Sequence, residues 1–189
     1  VKYARENNLP YLGLCLGFQM AVIDFARNVC GIKGANSTEF DANAPEPGIG
    51  ISPEQKKLEG LGGNMRLGGR DIKVEPKTIA WDLFGHKSSV RMRFRHRYEV
   101  DPRYIETLEK HGLVFSGKAP DQPIMQILEL PNHPFFMGTQ AHPCLTSRPL
   151  RPQPMFVGLV AAAMKRHHLD NNLPGSVEAV KKVCAYAEA

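Results

Sequence analysis

The stretch YLGLCLGF, residues 11–18, decides the expected fold. Residues 11–15 form a short apolar run typical of a buried parallel strand, and the run ends abruptly at Leu16 and Gly17. Apolar residues then recur at helical spacing, polar residues take the opposite side, and a glycine stands where the helix should stop. The apolar positions are Phe18, Val22, Phe25 and Val29, the polar ones Asp24, Arg27 and Asn28, and the stop is Gly31. The order is strand, tight turn, helix.

Around this unit the sequence predicts further helices, strands and one long loop. Helices are expected over 1–7 and 155–167, and the proline-rich and glycine-rich stretch 41–50 is expected to be a loop. Strands are expected over 64–67, 71–74, 91–100, 113–116, 124–129 and 135–140. The mixture indicates an α/β domain with a central sheet and antiparallel additions. We expect one domain over 1–189, cut at its N-terminus because the chain opens inside a helix.

Composition excludes several classes of protein. The 189 residues include 24 basic and 19 acidic side chains, a net charge of +5, which is too little for a nucleic-acid-binding signature. We find no apolar run of membrane-spanning length and no secretory leader. The four cysteines, Cys15, Cys30, Cys144 and Cys184, show no paired spacing, which favours reduced thiols and a cytoplasmic location.

Residues 13–17, GLCLG, have the spacing of a nucleophile elbow with cysteine in place of serine. The glycines permit a strained turn, and the start of the following helix is expected to lower the pKa of the Cys15 thiol. The backbone N–H of Leu16 would be one oxyanion-hole donor. Glycines chosen for packing around a buried cysteine explain the pentapeptide equally well.

A cysteine nucleophile needs a base, and His142 follows the apolar strand predicted over 135–140. Strand ends of this kind are where α/β enzymes collect catalytic groups, although six other histidines compete for the role. No metal site is expected, because the histidines and the nearby cysteine lack a ligand spacing. The residues considered were His133, His142, Cys144, His167 and His168.

Arginines alternate along the strand predicted over 91–100. Arg91, Arg93, Arg95 and Arg97 would therefore lie on one face, which is most simply a solvated one.

Six blocks of sequence, in order, resemble the glutamine amidotransferase domain of CTP synthases. They are 10–19 (PYLGLCLGFQ), 25–29 (FARNV), 35–40 (ANSTEF), 65–68 (MRLG), 95–100 (RHRYEV) and 142–143 (HP). The resemblance implies a class I glutamine amidotransferase fold, which is a flavodoxin-like three-layer sandwich. It also implies a mostly parallel central sheet whose first strands, with a glycine-rich oxyanion loop, would precede Val1.

The resemblance also implies a chemistry. Cys15 would attack the glutamine side-chain amide to form a thioester, with His142 as base and acid. Substrate contacts would come from Leu16, Gly17, Phe18 and Gln19, with Glu39 joining Gln19 on the α-amino group and Arg97 on the α-carboxylate. A carboxylate suits an ammonium group, and an arginine fork suits a carboxylate.

For the wider protein the resemblance implies a synthetase domain that aminates UTP to CTP. That domain would use ATP and Mg²⁺, GTP would be an effector, and the assembly would be a homotetramer. No cofactor is expected in the amidotransferase domain itself.

The sequence departs from the family pattern after His142. The family has a glutamate at the position of Cys144, where it orients the histidine, and a phenylalanine at Ala141. A thiol does not hold an imidazole as a carboxylate does, so the second hypothesis is a catalytically impaired module that binds glutamine or supports assembly. A third hypothesis, a γ-glutamyl hydrolase or cysteine peptidase, lacks the 35–40 and 95–100 blocks.

Overall fold

The computed structural model describes residues 1–51 and 65–171, the last four of them as backbone only. In chain order the elements are α1 (Lys2–Glu6), β1 (Tyr11–Leu14), α2 (Leu16–Asn28), β2 (Ala35–Ser37), β3 (Glu46–Gly50), β4 (Arg66–Val74), α3 (Ile79–Leu83), β5 (Ser89–His96), β6 (Glu99–Val100), α4 (Pro102–Lys110), β7 (Val114–Lys118), β8 (Met125–Glu129), β9 (Phe136–Thr139), a 3₁₀ turn (Pro143–Leu145) and α5 (Pro154–Asn171).

The described strands form two sheets. The larger has the order β1-β9-β8-β7-β4-β5, and the smaller has the order β2-β3-β6. In the larger sheet β1 and β9 are parallel, with Leu14 opposite Thr139, whereas the other four pairs are antiparallel. The α/β class is confirmed, but a mostly parallel sheet is not what these strands form. The connection between β7 and β8 is too short for a parallel crossover, whereas β4 and β5 pair antiparallel although helix α3 lies between them.

The larger sheet curls back on itself. Strand β5 lies at the far end of the strand order from β1, yet Phe94 bridges Ala141 in the segment that follows β9. The backbone N–H of His142 donates to the carbonyl oxygen of Arg93 at 2.8 Å. The curl therefore brings the last strand of the order against the carboxyl ends of β1 and β9.

Two cores cover the two faces of this sheet. Successive residues of β8 and β9 alternate between them, as the period of a strand requires. Leu128 and Phe136 join a core that includes Phe18 and Phe25 of α2 and Leu108 of α4. Ile127 and Met137 join a second core with Ala80 of α3, Met155 of α5, and Met92 and Phe94 of β5. The sheet thus lies between two helical layers, as expected for a three-layer sandwich.

The polar side expected for α2 is wrong at Asp24. Its side chain is 9% exposed, and it accepts hydrogen bonds from Arg5 Nε at 2.9 Å and Asn28 Nδ2 at 2.7 Å. Helix α1 supplies the arginine, so Asp24 faces a helix that helical spacing within α2 does not reveal. Arg27 and Asn28 are exposed as expected, and Gly31 takes a positive φ of 75° at the stop.

Several other boundaries differ from the sequence-based expectation. The stretch 41–50 contains β3, which pairs with β2 on one side and β6 on the other. The strands expected over 64–67 and 71–74 are one strand, β4, and residue 64 lies outside the described residues. Helices α3 and α4 were not predicted. The single strand expected over 91–100 is wrong, because β5 ends at His96 and β6 belongs to the smaller sheet, with Arg97 in the connection between them. The remaining expected helices and strands are confirmed within a few residues, and the β5 arginines alternate with buried neighbours as expected.

Within residues 1–51 and 65–171, no helix has both the length and the apolarity to cross a membrane. The same described part of the chain holds no cluster of three His, Cys, Asp or Glu side chains arranged for a metal ion.

Candidate active site

Cys15 occupies a strained turn between β1 and α2. Its φ of 49° and ψ of −100° lie in a region that residues with a Cβ rarely adopt, and strain of this kind clusters at functional sites. The Cys15 N–H donates to the Thr139 carbonyl at 2.7 Å, which continues the β1–β9 pairing by one residue. The nucleophile elbow expected at residues 13–17 is therefore present in its geometry.

The turn around Cys15 is tightly packed at Gly13, which has no room for a side chain. A Cβ on Gly13 would lie 2.6 Å from the carbonyl carbon and oxygen of Gly17, and as close to the Tyr11 hydroxyl. That hydroxyl donates to the Gly17 carbonyl at 2.7 Å. Burial, followed by the nearby Asp24 carboxylate, raises the pKa of Tyr11 to about 12, so the hydroxyl keeps its proton and remains a donor.

The thiol of Cys15 is half-buried, and its pKa is raised rather than lowered. Burial raises the pKa, a hydrogen bond from the backbone N–H of Leu16 opposes the rise, and the Glu39 carboxylate adds to it. The lowered pKa expected for this thiol is therefore wrong in direction, because desolvation outweighs the hydrogen bond from the Leu16 N–H. The protonated thiol donates a weak hydrogen bond to the Arg95 carbonyl, with Sγ 3.9 Å from the oxygen.

Cys15 opens into a cavity of about 250 Å³. The cavity combines the Cys15 thiol with an amide, a carboxylate and guanidinium groups. Its lining residues are Cys15, Leu16, Gln19, Glu39, Met65, Arg95, His96, Arg97 and Tyr98. Four of the predicted substrate-binding residues, Leu16, Gln19, Glu39 and Arg97, are thus brought together with the predicted nucleophile.

Gln19 is the buried polar group of this cavity. It lies one turn into α2, is 3% exposed, and donates from Nε2 to the Tyr98 carbonyl at 3.2 Å. Its Oε1 has no hydrogen-bond partner among the described residues. A buried acceptor without a donor is costly, so the cavity is suited to a ligand that brings an N–H group.

Glu39 and Arg97 approach the cavity from the smaller sheet. Glu39 follows β2, where its N–H donates to the Ser37 hydroxyl at 3.1 Å. Arg97 lies in the two-residue connection between β5 and β6. Both side chains are exposed at the rim. The cavity therefore presents both a carboxylate and a guanidinium group, which suit the two charges of a zwitterionic ligand.

Gly17 and Phe18 do not line the cavity. The Gly17 carbonyl is held by Tyr11, and the Phe18 side chain is fully buried in the core beneath Gly138. A contact with substrate at these two positions would have to use the backbone.

His142 is placed near the nucleophile by its backbone, and the described contacts include no side-chain bond between the two residues. Cys15 follows β1 and His142 follows β9, so both are at the carboxyl ends of adjacent parallel strands. The carbonyls of Arg93 and Arg95, two residues apart on β5, contact the His142 N–H and the Cys15 thiol respectively. The Nε2 of His142 is buried and has no hydrogen-bond partner among residues 1–51 and 65–171.

Cys144 is exposed in the 3₁₀ turn that follows His142. In the described structure no hydrogen bond joins it to the imidazole. The described contacts therefore give His142 no partner equivalent to the third member of a triad.

Sequence reasoning missed the cavity roles of Met65, Arg95, His96 and Tyr98. Three of them lie in the 95–100 block, which was recognised as a block without a role for each member. The alternation of exposed and buried residues along β5 places His96 on the buried face, and this pattern could have identified it from the sequence.

Comparisons with known proteins agree with this geometry. The family profile described as "Glutamine amidotransferase class-I" matches residues 1–162. The chain belongs to the class I glutamine amidotransferases. It is 55% identical over 165 residues to the CTP synthase of Archaeoglobus fulgidus, covering 87% of this chain and 31% of that protein. It is also 55% identical over 170 residues to the CTP synthase of Natronomonas pharaonis, covering 90% and 30% respectively.

Among solved structures, this amidotransferase resembles the glutaminase domain of Trypanosoma brucei CTPS, determined with bound acivicin. The TM-score is 0.80 at 36% identity, and the match covers 87% of this chain and 63% of that one. A Thermoplasma acidophilum protein described as belonging to a GMP synthase shares the fold alone, with a TM-score of 0.57 at 16% identity. The chain spans about 30% of the length of the curated relatives. It therefore corresponds to their amidotransferase domain.

Proposed function

We propose that this amidotransferase hydrolyses the side-chain amide of glutamine at Cys15. The observation that carries the proposal is a strained cysteine opening into a cavity lined by Gln19, Glu39 and Arg97. The free Oε1 of Gln19 and the Glu39 carboxylate suit the α-ammonium group of glutamine, and the Arg97 guanidinium suits its α-carboxylate.

In the proposed reaction the Cys15 sulfur attacks the amide carbon, and His142 takes the thiol proton. Because the pKa of Cys15 is raised, the thiol carries its proton before the reaction, and His142 is needed to remove it. His142 then returns the proton to the departing nitrogen, which leaves as ammonia from a glutamyl thioester. Water cleaves the thioester to glutamate and restores the thiol. The Leu16 N–H, already directed at the sulfur, is one donor for the oxyanion.

The proposed use of the ammonia is amination of UTP to CTP by a synthetase domain of the same protein. The names of the relatives and their greater length support this step. ATP and Mg²⁺ would serve that domain. The effector GTP, the homotetramer and the cytoplasmic location stay predictions that rest on the resemblance and on cysteine usage.

A catalytically impaired module is the second candidate, and the exposure of Cys144 favours it. Without a carboxylate behind it, His142 has no described partner to hold its tautomer or stabilise its positive charge. Disabling that third position in serine proteases costs about 10⁴ in turnover.

Ammonia release from glutamine by the gene product that carries this chain tests both candidates. Cys15→Ala should abolish release, Cys30→Ala should leave it unchanged, and Cys144→Glu should raise it by about 10²-fold or more. Cys30 is a matched control, because it is another partly buried free cysteine, remote from the cavity. Release that survives Cys15→Ala would refute the proposed nucleophile. If no variant releases ammonia but glutamine still binds, the impaired module is the correct account.

A further inference from the structure

A buried histidine–glutamate pair lies beside the cavity, and the proposed reaction does not explain it. His96 Nε2 lies 3.1 Å from Glu99 Oε1, and the two side chains are only 1% and 3% exposed. His96 is the last residue of β5 and Glu99 is the first residue of β6, so the pair joins the larger sheet to the smaller one. It is the point where the two sheets meet at the site.

The two residues between His96 and Glu99 both line the cavity. Tyr98 offers its carbonyl to Gln19 Nε2, and Arg97 presents its guanidinium at the rim. Arg97 makes no hydrogen bond or ion pair of its own within residues 1–51 and 65–171. The backbone of this connection must therefore determine where the guanidinium lies, and the pair fixes the connection at both ends.

Stability alone is a weak reason for such a pair. Two polar side chains removed from water lose solvation that their hydrogen bond returns only in part, and apolar side chains of similar size often serve as well. His96 also carries a cost, because its buried Nδ1 has no hydrogen-bond partner among the described residues. A geometric role accounts for the pair where a purely stabilising role does not.

We propose that His96 and Glu99 are positioning residues that hold Arg97 and the Tyr98 carbonyl in register with the substrate. The inference rests on the proposed function, because it assigns the pair to binding of the glutamine α-carboxylate and to the orientation of Gln19. Neither residue touches the reacting atoms. Loss of the pair should weaken glutamine binding and leave the intrinsic reactivity of Cys15 unchanged.

Protection of Cys15 from iodoacetamide by glutamine tests this in the gene product that carries the chain. Iodoacetamide needs the thiol alone, whereas protection needs the Arg97 site. Glu99→Leu and His96→Leu should raise the half-protecting glutamine concentration about tenfold, since displacement of a positioning group by an ångström can cost up to 10². Alkylation without glutamine should stay within about twofold of wild type. Steady-state kinetics should show the change in KM rather than in kcat.

Conservative variants separate positioning from a general structural effect. His96→Gln places an N–H donor where Nε2 was, so protection should return to within about threefold of wild type. Glu106→Gln, which removes an exposed carboxylate paired with Lys110, is the control and should change nothing. If the leucine variants do not fold, Glu99→Gln keeps the volume and removes the charge, and a rise of about threefold is expected.

Each outcome decides the question. Unchanged protection in folded His96 and Glu99 variants overturns the positioning role while the proposed function stands. If Glu99→Gln also fails to fold, the pair is needed for the fold itself and the positioning role is likewise overturned. If glutamine does not protect wild-type Cys15 at all, the proposed function has failed, and this inference fails with it.

Discussion

Cys15 is held by residues that have no part in chemistry. Its backbone lies in a region disfavoured for any residue with a Cβ, and the turn is held by the close approach of Gly13 to Gly17 and by the hydrogen bond from the Tyr11 hydroxyl to the Gly17 carbonyl. The energy stored in the turn is supplied by the packing around it. The reactivity of the thiol therefore depends on glycines as much as on ionisable groups.

Gly13→Ala tests that dependence. The new Cβ would lie 2.6 Å from backbone atoms of Gly17, so the elbow must move. We expect a loss of about 1–3 kcal/mol in the free energy of unfolding and loss of glutamine-dependent ammonia release. Gly48→Ala is the control, since nothing lies within 4 Å of its added Cβ, and its effect should be within about 0.5 kcal/mol. Urea unfolding measures the free energy of unfolding of both variants. Equal losses in the two variants would show that Gly13 is not held by close packing.

The Glu39 carboxylate should shift the pH dependence of thiol alkylation. It contributes to the raised pKa of Cys15 by disfavouring a second negative charge. Glu39→Gln removes that charge, lowers the pKa, and so increases the thiolate fraction at neutral pH. The rate of iodoacetamide alkylation, followed from about pH 6 to about pH 10, should have its midpoint at a lower pH than in wild type. A midpoint that stays fixed or rises would show that Glu39 does not act on the sulfur.

At the scale of the element, α3 depends on a carboxylate from another strand. Glu129 of β8 is 1% exposed and accepts hydrogen bonds from the N–H groups of Ile79 and Ala80 at 2.7 and 3.0 Å. Thr78 accepts from the Trp81 N–H at the same helix end. Together they satisfy N–H groups that a helix start leaves unpaired, and they tie α3 to the sheet.

Glu129→Ala should therefore destabilise the protein by about 1–3 kcal/mol, because two buried N–H groups lose their acceptors. Glu106→Ala on α4 is the matched control, since it removes a carboxylate that is 80% exposed and bonded to Lys110 four residues later. It should cost no more than about 0.5 kcal/mol. The midpoints of urea unfolding compare them, and similar losses would show that Glu129 is not a helix cap.

The same elements show what sequence could predict. Residues 11–18 specify strand, turn and helix because every determinant is local: an apolar run, two glycines and helical spacing. Strand β3 was taken for a loop because its proline and glycines argue against a strand, whereas its partners β2 and β6 are supplied by the tertiary fold. Helix α4 was missed although Asp101 and Pro102 form a normal helix start.

The identity of the site residues was predicted better than the pKa of the Cys15 thiol. Cys15 was named from residues 13–17, and Gln19, Glu39 and Arg97 were named from the family resemblance; the structure brings all four to one cavity. The pKa direction of Cys15 was wrong because the extent of burial is not visible in a pentapeptide. The role of the His96–Glu99 pair was missed because it depends on two sheets meeting.

At the scale of the whole molecule, the curl of the larger sheet completes the site. The bridge between Phe94 and Ala141 brings β5 to the ends of β1 and β9. It places the carbonyls of Arg93 and Arg95 in contact with the His142 N–H and the Cys15 thiol. We call this contact between β5 and the segment after β9 the seam. Packing at the seam should affect activity as well as stability.

Phe94→Ala and Phe115→Ala make a matched pair for that claim. Both phenylalanines are almost fully buried, at 2% and 1% exposure, but Phe94 lies at the seam and Phe115 in the core on the other face. Each truncation should cost about 3–5 kcal/mol in unfolding free energy. At a temperature where both variants are folded, ammonia release should fall only in Phe94→Ala. Equal activity in the two variants would show that the seam does not position the site.

The parallel pairing of β1 with β9 has a consequence for the order of events during synthesis. Cys15 leaves the ribosome before β9, the last strand of the described part of the chain, which holds its N–H and leads to His142. Pairing of segments so distant in sequence is slow and comes late in folding. A chain that has not yet made β9 thus carries the Cys15 thiol without His142 beside it and without its turn. Under the proposed function, release of ammonia from glutamine would begin only after β9 has paired with β1.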